Sequence, residues 1–261
     1  MRSILLLISL FAMLGCVPNE PYVINSPSKT LQVYFQIDHN NSLIYFISRD
    51  GKQVISESHL GLEFEQANFN QGIRLGNISR IKKIQPKKLP GILSKKIDKV
   101  AHQKIIELIS RKNEVLEVII QVSDDSVVIA YQGEAYGKLL HEATSFRFPP
   151  DAQAWLKASD EQQQDAITVL PIMNEASDSL IWKMPAVVKT ADVWVGLDEA
   201  VVSPWPASQL KSEGLSGALD VVSADTEGPV AIQSFHSSWR IITLGDQELL
   251  KRLLPEASAS Q

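Results

Sequence analysis

The sequence holds a single cysteine, Cys16, in 261 residues. An intrachain disulfide and a cysteine-rich metal site are therefore excluded. The N-terminal apolar run, Ile4 to Leu14 broken by Ser9, would make about 16 Å of helix against a hydrocarbon core of about 30 Å. It is too short to span a bilayer. No G-x-S-x-G, H-E-x-x-H, Walker loop or G-x-G-x-x-G is present, which removes the common signatures of serine hydrolases, zinc proteases and nucleotide-binding folds. Positive charge is not in excess: the net charge of −5 argues against a dedicated nucleic-acid binder. Tryptophan is missing before residue 155 and tyrosine after residue 136, so the two halves differ in aromatic type.

What is present begins with an address. Arg2, the short apolar stretch and the small Gly15 form the pattern of a secretory signal. Met13-Leu14-Gly15-Cys16 resembles the lipobox of bacterial lipoproteins, in which the cysteine is lipidated and becomes the first residue, although Leu14 is larger than the usual Ala or Ser. Residues 1–15 are expected to be a lipoprotein signal peptide, Cys16 the lipidation site and residues 16–29 a Pro- and Asn-rich tether. Acyl chains would anchor the protein firmly, at about 0.8 kcal/mol per buried CH₂. Val17 is not the aspartate that retains lipoproteins at the inner membrane, so attachment to the bacterial outer membrane, facing the periplasm, is expected.

The body reads as strands. Leu31, Val33, Phe35 and Ile37 alternate with Gln32, Tyr34 and Gln36, the period of a half-buried strand. Leu43, Tyr45 and Ile47 repeat it across the turn His39-Asn40-Asn41-Ser42, and Asp50-Gly51 marks the next turn. Further strands are expected at residues 61–64, 115–122, 126–131, 145–148, 185–189, 193–197, 217–222, 230–233 and 239–244, with Asp124-Asp125 as a hairpin turn. Helix is expected only as one turn at 151–155 and at 246–253. Short strands at regular intervals mean an all-β sandwich or barrel.

Residues 80–112 carry eleven lysines or arginines against Asp98 and Glu107. No aromatic interleaves them to stack on bases, so a solvated strand pair and loop is the better reading than a polyanion site. The tryptophans Trp155, Trp182, Trp194, Trp205 and Trp239 suit either core packing or a sugar platform. Trp205, between Pro204 and Pro206, is the most loop-like and the one expected to be exposed. The five histidines are scattered, and neighbours such as His141-Glu142 or His236-Ser237 point to opposite faces of a strand. Asp198-Glu199 stands out because it interrupts an apolar stretch and would either end a strand or serve a site there.

Four segments, in order, carry a family resemblance. They are the opening SPSKTLQVYFQIDHNNSLIYFISRDGKQVI with the later HLGLEF, then HEATSFRFPPDAQAWL at 141–156, VWVGLDEAVVSPWP at 193–206 and SSWRIITLGD at 237–246. Together they resemble the N-terminal β-sandwich domain of glycoside hydrolase family 97, the bacterial α-glucosidases and α-galactosidases. This chain has Asp198 where the family has Thr, and Ser238 where it has Pro. The resemblance implies an all-β, galactose mutarotase-like β-supersandwich of mostly antiparallel strands over residues 30–255, with 256–261 as a tail. It also implies that Glu199 matches a calcium ligand that joins others on a catalytic (β/α)₈ barrel. A hard cation takes six to eight oxygens, so Glu199 alone makes no site, and calcium is expected only with a barrel partner.

A barrel would need about 200 further residues beyond Gln261. The usual pair of carboxyl groups for glycoside hydrolysis is not expected in the sandwich. The reading that follows is a lipid-anchored, non-catalytic carbohydrate-binding or accessory domain for α-glucans or α-galactosides, with Trp194 and Trp205 as sugar-contacting candidates and no nucleic-acid partner. The alternatives are a split glycosidase half that needs a separate barrel, and a mutarotase-like epimerase drawing on His141, Glu142, Glu199 and His236.

Overall fold

The computed structural model describes residues 21–85, 100–159, 167–173, 180–191, 193–212, 216–224, 230–231 and 234–255. The expected signal peptide, Cys16 and the C-terminal tail lie outside them. Among the described residues no helix is long and apolar enough to cross a membrane.

Strands β1 (Tyr22–Asn25), β2 (Leu31–Ile37), β3 (Leu43–Arg49) and β4 (Lys52–Leu60) form a four-stranded antiparallel sheet in sequence order. Two of its three turns follow from their residues. Asp38 Oδ1 accepts from the backbone N–H groups of Asn40 and Ser42, at 2.9 and 2.7 Å. Asp50 and Gly51 both take positive φ, 51° and 78°, which a tight two-residue hairpin requires.

A second, large sheet is built from most of the remaining strands. They are β5 (Leu62–Phe64), β6 (Arg74–Ile78), β7 (Lys82–Ile84), β8 (Ala101–Ile109), β9 (Val115–Val122), β10 (Ser126–Gly133), β11 (Gly137–Glu142) and β12 (Ser145–Arg147). After them come β13 (Gln153–Ala158), β14 (Ile167–Pro171), β15 (Ile181–Lys189), β16 (Trp194–Ala200) and β17 (Ser208–Ser212). The last are β18 (Ala218–Ser223), β19 (Val230–Ala231), β20 (Phe235–His236) and β21 (Trp239–Gly245), followed by helix α1 (Glu248–Leu253). The main path runs β12-β18-β17-β15-β16-β21-β10-β9-β8-β6, with β7, β13, β14 and β20 attached to its sides. A short sheet, β19-β11-β5, lies apart.

The two main sheets pack face to face. Leu31, Val33, Phe35, Tyr45 and Ile47 of the small sheet share one core with Val118, Ile120, Ile129, Leu197 and Ile242 of the large one. Their alternation along each strand is the sequence pattern made physical. Between β4 and β12 the sheets are joined by side chains. Ser145 Oγ accepts from His59 N–H and Ser58 Oγ from Arg147 N–H, both at 2.9 Å, and Tyr45 Oη donates to Ser145 O at 2.8 Å. On the outer face of the large sheet, Leu249, Leu253 and Leu254 lie on Val128, Trp155, Val187, Ala200 and Ile241. Gly196 leaves the room: a Cβ there would fall 2.4 Å from Leu253 Cδ1.

Several expectations change. The helical turn placed at 151–155 is instead the start of β13, paired with β14 and β15, because Ala154 and Leu156 are needed in the core while Trp155 faces α1. Part of the expected tether is strand: Tyr22–Asn25 pairs with β2. Of the basic segment, β7 and β8 are a strand pair, as expected; residues 86–99 lie outside the described residues. Strands β6, β11, β14 and β17 had no clear alternation to announce them.

Because Leu253 and Leu249 seat α1 on Gly196, Leu253→Ala is expected to lower stability by about 2–5 kcal/mol. Urea denaturation followed by tryptophan fluorescence measures it.

Candidate functional site

Strands β16 and β21 pair in a register that sets Glu199 directly opposite Arg240. Both residues share the face of Val195, Leu197, Ile242 and Leu244, so their charged groups point toward the interior. Strand β11 brings Glu142 to the same place, from a sequence distance of 98 residues. Arg240 is only 1% exposed, so its charge has to be met by protein.

The pairing is complete. Arg240 Nε donates to Glu142 Oε1 at 2.9 Å and Nη2 to Glu142 Oε2 at 2.6 Å, the two-pronged geometry that guanidinium and carboxylate share. Arg240 Nη1 donates to Glu199 Oε2 at 2.9 Å. Glu199 Oε1 accepts from Ser208 N–H at 2.8 Å. Burial pulls the Arg240 value down, but the charge and hydrogen bonds of Glu142, then the charge of Glu199, outweigh it and raise it above the ordinary. Glu199 is held above the ordinary carboxylate value: burial raises it more than the Ser208 N–H and Arg240 lower it, and Glu142 adds repulsion.

Beneath the cluster, Tyr131 Oη sits 2.6 Å from Thr144 Oγ1 and accepts from Gly61 N–H at 3.1 Å. Burial, then the charge of Glu142, pushes its phenol well above the ordinary value. Ser237 Oγ accepts from Tyr131 N–H, and Ser238 Oγ from Val202 N–H, at 2.9 and 3.2 Å. These bonds tie β10, β20–β21 and the segment after β16 around the arginine.

A cavity of about 230 Å³ opens beside this cluster, walled by Leu139, His141, Glu142, Trp205, Ser208 and Val221. Leu140, 58% exposed, stands at its rim, and Val201, 43% exposed, follows β16 two residues after Glu199.

The structure brings Glu142 and Glu199 together and puts His141 on the cavity wall. His236 stays apart: its Nδ1 is 2.7 Å from Ser237 O and its ring packs on Trp239. The expected exposure of Trp205 is corrected. It is 5% exposed, stacked at 5.3 Å on Phe235, because the apolar ring fills the end of the core rather than the loop. Trp194 is half-buried on the opposite face of β16 from Glu199, against Trp155 at 4.9 Å and beneath Lys189 Nζ at 5.5 Å. The two tryptophans therefore do not form one surface. Arg240 itself was not singled out; its signal was a lone arginine inside the apolar strand W-R-I-I.

Calcium does not fit the described residues alone. Both oxygens of Glu199 already accept hydrogen bonds, and no group of three or more Asp, Glu, His or Cys is arranged to hold a metal among the described residues.

The chain is a sandwich of antiparallel sheets with one buried arginine held between two glutamates. It matches the model of the glycosyl-hydrolase 97 N-terminal family over residues 24–255 and belongs to that family. A probable retaining alpha-galactosidase of Streptomyces bingchenggensis (strain BCW-1) is 26% identical over 144 residues, which are 54% of this chain and 22% of that protein. Among solved structures, a beta-arabinopyranosidase superposes with a TM-score of 0.71 at 22% identity, over 86% of this chain and 40% of the other. A family 97 enzyme of Pseudoalteromonas sp. strain K8, solved in complex with panose, superposes at 0.68 and 18% identity, over 86% and 35%. The same enzyme has been solved with acarbose. The chain thus spans well under half the length of these relatives.

The unequal grip of Arg240 on its partners has a measurable consequence. Glu142→Gln is expected to cost about 3–5 kcal/mol, since it leaves a buried guanidinium half-compensated. Glu199→Gln is expected to cost less, about 1–3 kcal/mol, because the amide turns its NH₂ toward one of the two donors that the carboxylate met. The raised Glu199 value fixes the sign with pH. Its contribution is fully present below the ordinary carboxylate range and is lost as pH rises through the raised value. Wild type minus Glu199→Gln stability, from denaturation between about pH 4 and about pH 8, should therefore fall with increasing pH.

Proposed function

We propose that this chain is a non-catalytic accessory domain of glycoside processing, which presents the Glu199 side of its cleft to a (β/α)₈ catalytic barrel. The carrying observation is the shared arginine. A general acid and a general base need carboxyl groups free to exchange protons with substrate. Here Glu142 is clamped by two hydrogen bonds and Glu199 by one, to the same guanidinium. The arrangement is structural, and it argues against the epimerase alternative, since His236 is also turned elsewhere.

A barrel partner suits the cleft's rim. Val201, 43% exposed, follows Glu199 by two residues, and Leu140 is exposed at the cavity rim, so a second surface here could cover apolar area and add the oxygens that calcium requires. The carbohydrate class rests on the family and on relatives solved with panose and acarbose; α-glucans and α-galactosides are the substrates proposed for the assembly. Attachment through lipidated Cys16 to the outer membrane, facing the periplasm, would hold the domain at the site of glycan processing.

The purified chain is expected to leave nitrophenyl α-glucosides and α-galactosides intact, and the anomeric equilibration of glucose at its uncatalysed rate. Hydrolysis or faster equilibration overturns the non-catalytic reading. Glu199→Ala should retain the fold yet weaken calcium-dependent capture of a family 97 barrel at least tenfold in a pull-down; equal capture would count against the docking role.

Anchoring has its own readout. Cells fed an alkynyl fatty acid should label the wild-type protein and not Cys16→Ala, and the variant should leave the membrane fraction.

A further inference from the structure

Strand β7 lies on β8 at one edge of the large sheet, with Lys83 opposite His102 and Lys82 opposite Gln103. Among the described residues it pairs with β8 alone, so its other side is a free edge. Strand β1 crosses the same part of β8. His102 Nδ1 is 2.7 Å from Asn25 O, and Lys104 Nζ is 5.9 Å from the ring centroids of both Tyr22 and Phe35. The chain therefore enters the fold beside this edge. Tyr22 is six residues beyond Cys16, within about 20 Å of fully extended chain.

The edge is basic in a chain of net charge −5. Arg80, Lys82 and Lys83 are exposed, and Lys104 is half-buried beside them. Among the described residues Arg80, Lys82 and Lys83 enter no ion pair. The carboxylates on neighbouring elements are engaged elsewhere. Glu107, toward the far end of β8, accepts from Asn77 N–H at 2.9 Å, and Glu117 stands opposite it on β9. In the β9–β10 turn, Asp124 accepts from Ser28 N–H at 2.8 Å and Asp125 from Ser123 Oγ at 3.1 Å. Two apolar side chains stand among the cations: Ile81 is 46% exposed and Tyr22 45%. The ring of Tyr22 is steadied on buried Phe35, with centroids 5.3 Å apart.

Lysines on an edge strand block the pairing of a foreign strand, but charge of either sign does that and no exposed apolar neighbour is needed. A soluble polyanion would use the cations and leave Ile81 and Tyr22 in water. A membrane surface uses both: anionic headgroups meet the Lys and Arg side chains, while a tyrosine and an aliphatic side chain settle at headgroup depth. We infer that the edge formed by Arg80, Lys82, Lys83 and Lys104, with Tyr22 and Ile81, lies on the anionic phospholipid surface of the membrane. The inference rests on the anchoring of Cys16, which keeps this edge within reach of the headgroups. The contact holds the tethered sandwich in one orientation instead of letting it turn freely on its tether, and it is independent of the docking role of Glu199.

The full chain, purified in detergent and returned to vesicles, tests it through the rate at which an acetylating reagent labels each lysine, read by mass spectrometry. Going from phosphatidylcholine vesicles to vesicles with about one-third phosphatidylglycerol should slow the labelling of Lys82 and Lys83 at least about fivefold. Lys251, exposed on α1, should keep its rate. High salt should restore the rates. Arg80→Glu/Lys82→Glu keeps a charged edge with its sign reversed, and in it Lys83 should be labelled equally on both vesicles. Ile81→Ser should lower the protection of Lys83 at least about twofold. Equal labelling of Lys82 and Lys83 on the two vesicles in wild type overturns the inference, as does protection that survives the charge reversal. Full protection in Ile81→Ser makes a soluble polyanion the better occupant and overturns it too. The mass of the Cys16 peptide in the same digest separates the two readings. Acylated Cys16 without protection overturns the edge and leaves the anchor; protection with unmodified Cys16 supports the edge and overturns the anchor.

Discussion

One guanidinium organises the functional end of this molecule. Arg240 is buried, and a buried charge is tolerated only when oppositely charged groups reach it in good geometry. Those groups come from β11 and β16, elements far apart in sequence, and a third strand, β17, supplies the N–H that fixes Glu199. Strand register, the position of the cleft wall and the orientation of Glu199 all depend on satisfying that one charge. Replacing the cluster by apolar side chains could preserve stability, but it would remove Glu199.

The site also separates two roles that carboxylates play in glycoside-processing proteins. In catalysis they must gain and lose protons near a glycosidic bond. Here both are committed to the same cation.

Much of the fold was legible because its strands alternate. Residues 31–37, 43–47 and 115–122 show period two and lie where that pattern puts them. Strand β13 is not legible locally: two prolines and an aspartate before QAWLKA imitate a helix start, whereas the pairing on both sides is a long-range fact that no local pattern carries. Glu199 was legible as a charge interrupting apolar residues. Its partner Glu142 was visible only as one half of an adjacent pair, since nothing in sequence says that β11 folds over β21. Trp205 was placed outside because prolines flank it; burial of its large apolar ring outweighed that local signal.

The serine bridges between β4 and β12 carry a consequence for solubility. An open sheet ends in a strand whose free N–H and C=O groups can recruit the strand of another molecule. At this seam, Ser58 and Ser145 take up N–H groups from the opposing strand, and the Tyr45 hydroxyl occupies a carbonyl. The border is thus closed by hydroxyl groups that satisfy the backbone without continuing the ladder. Neither sheet offers a template for self-association there, and the sandwich gains a margin against aggregation from three side chains of modest size.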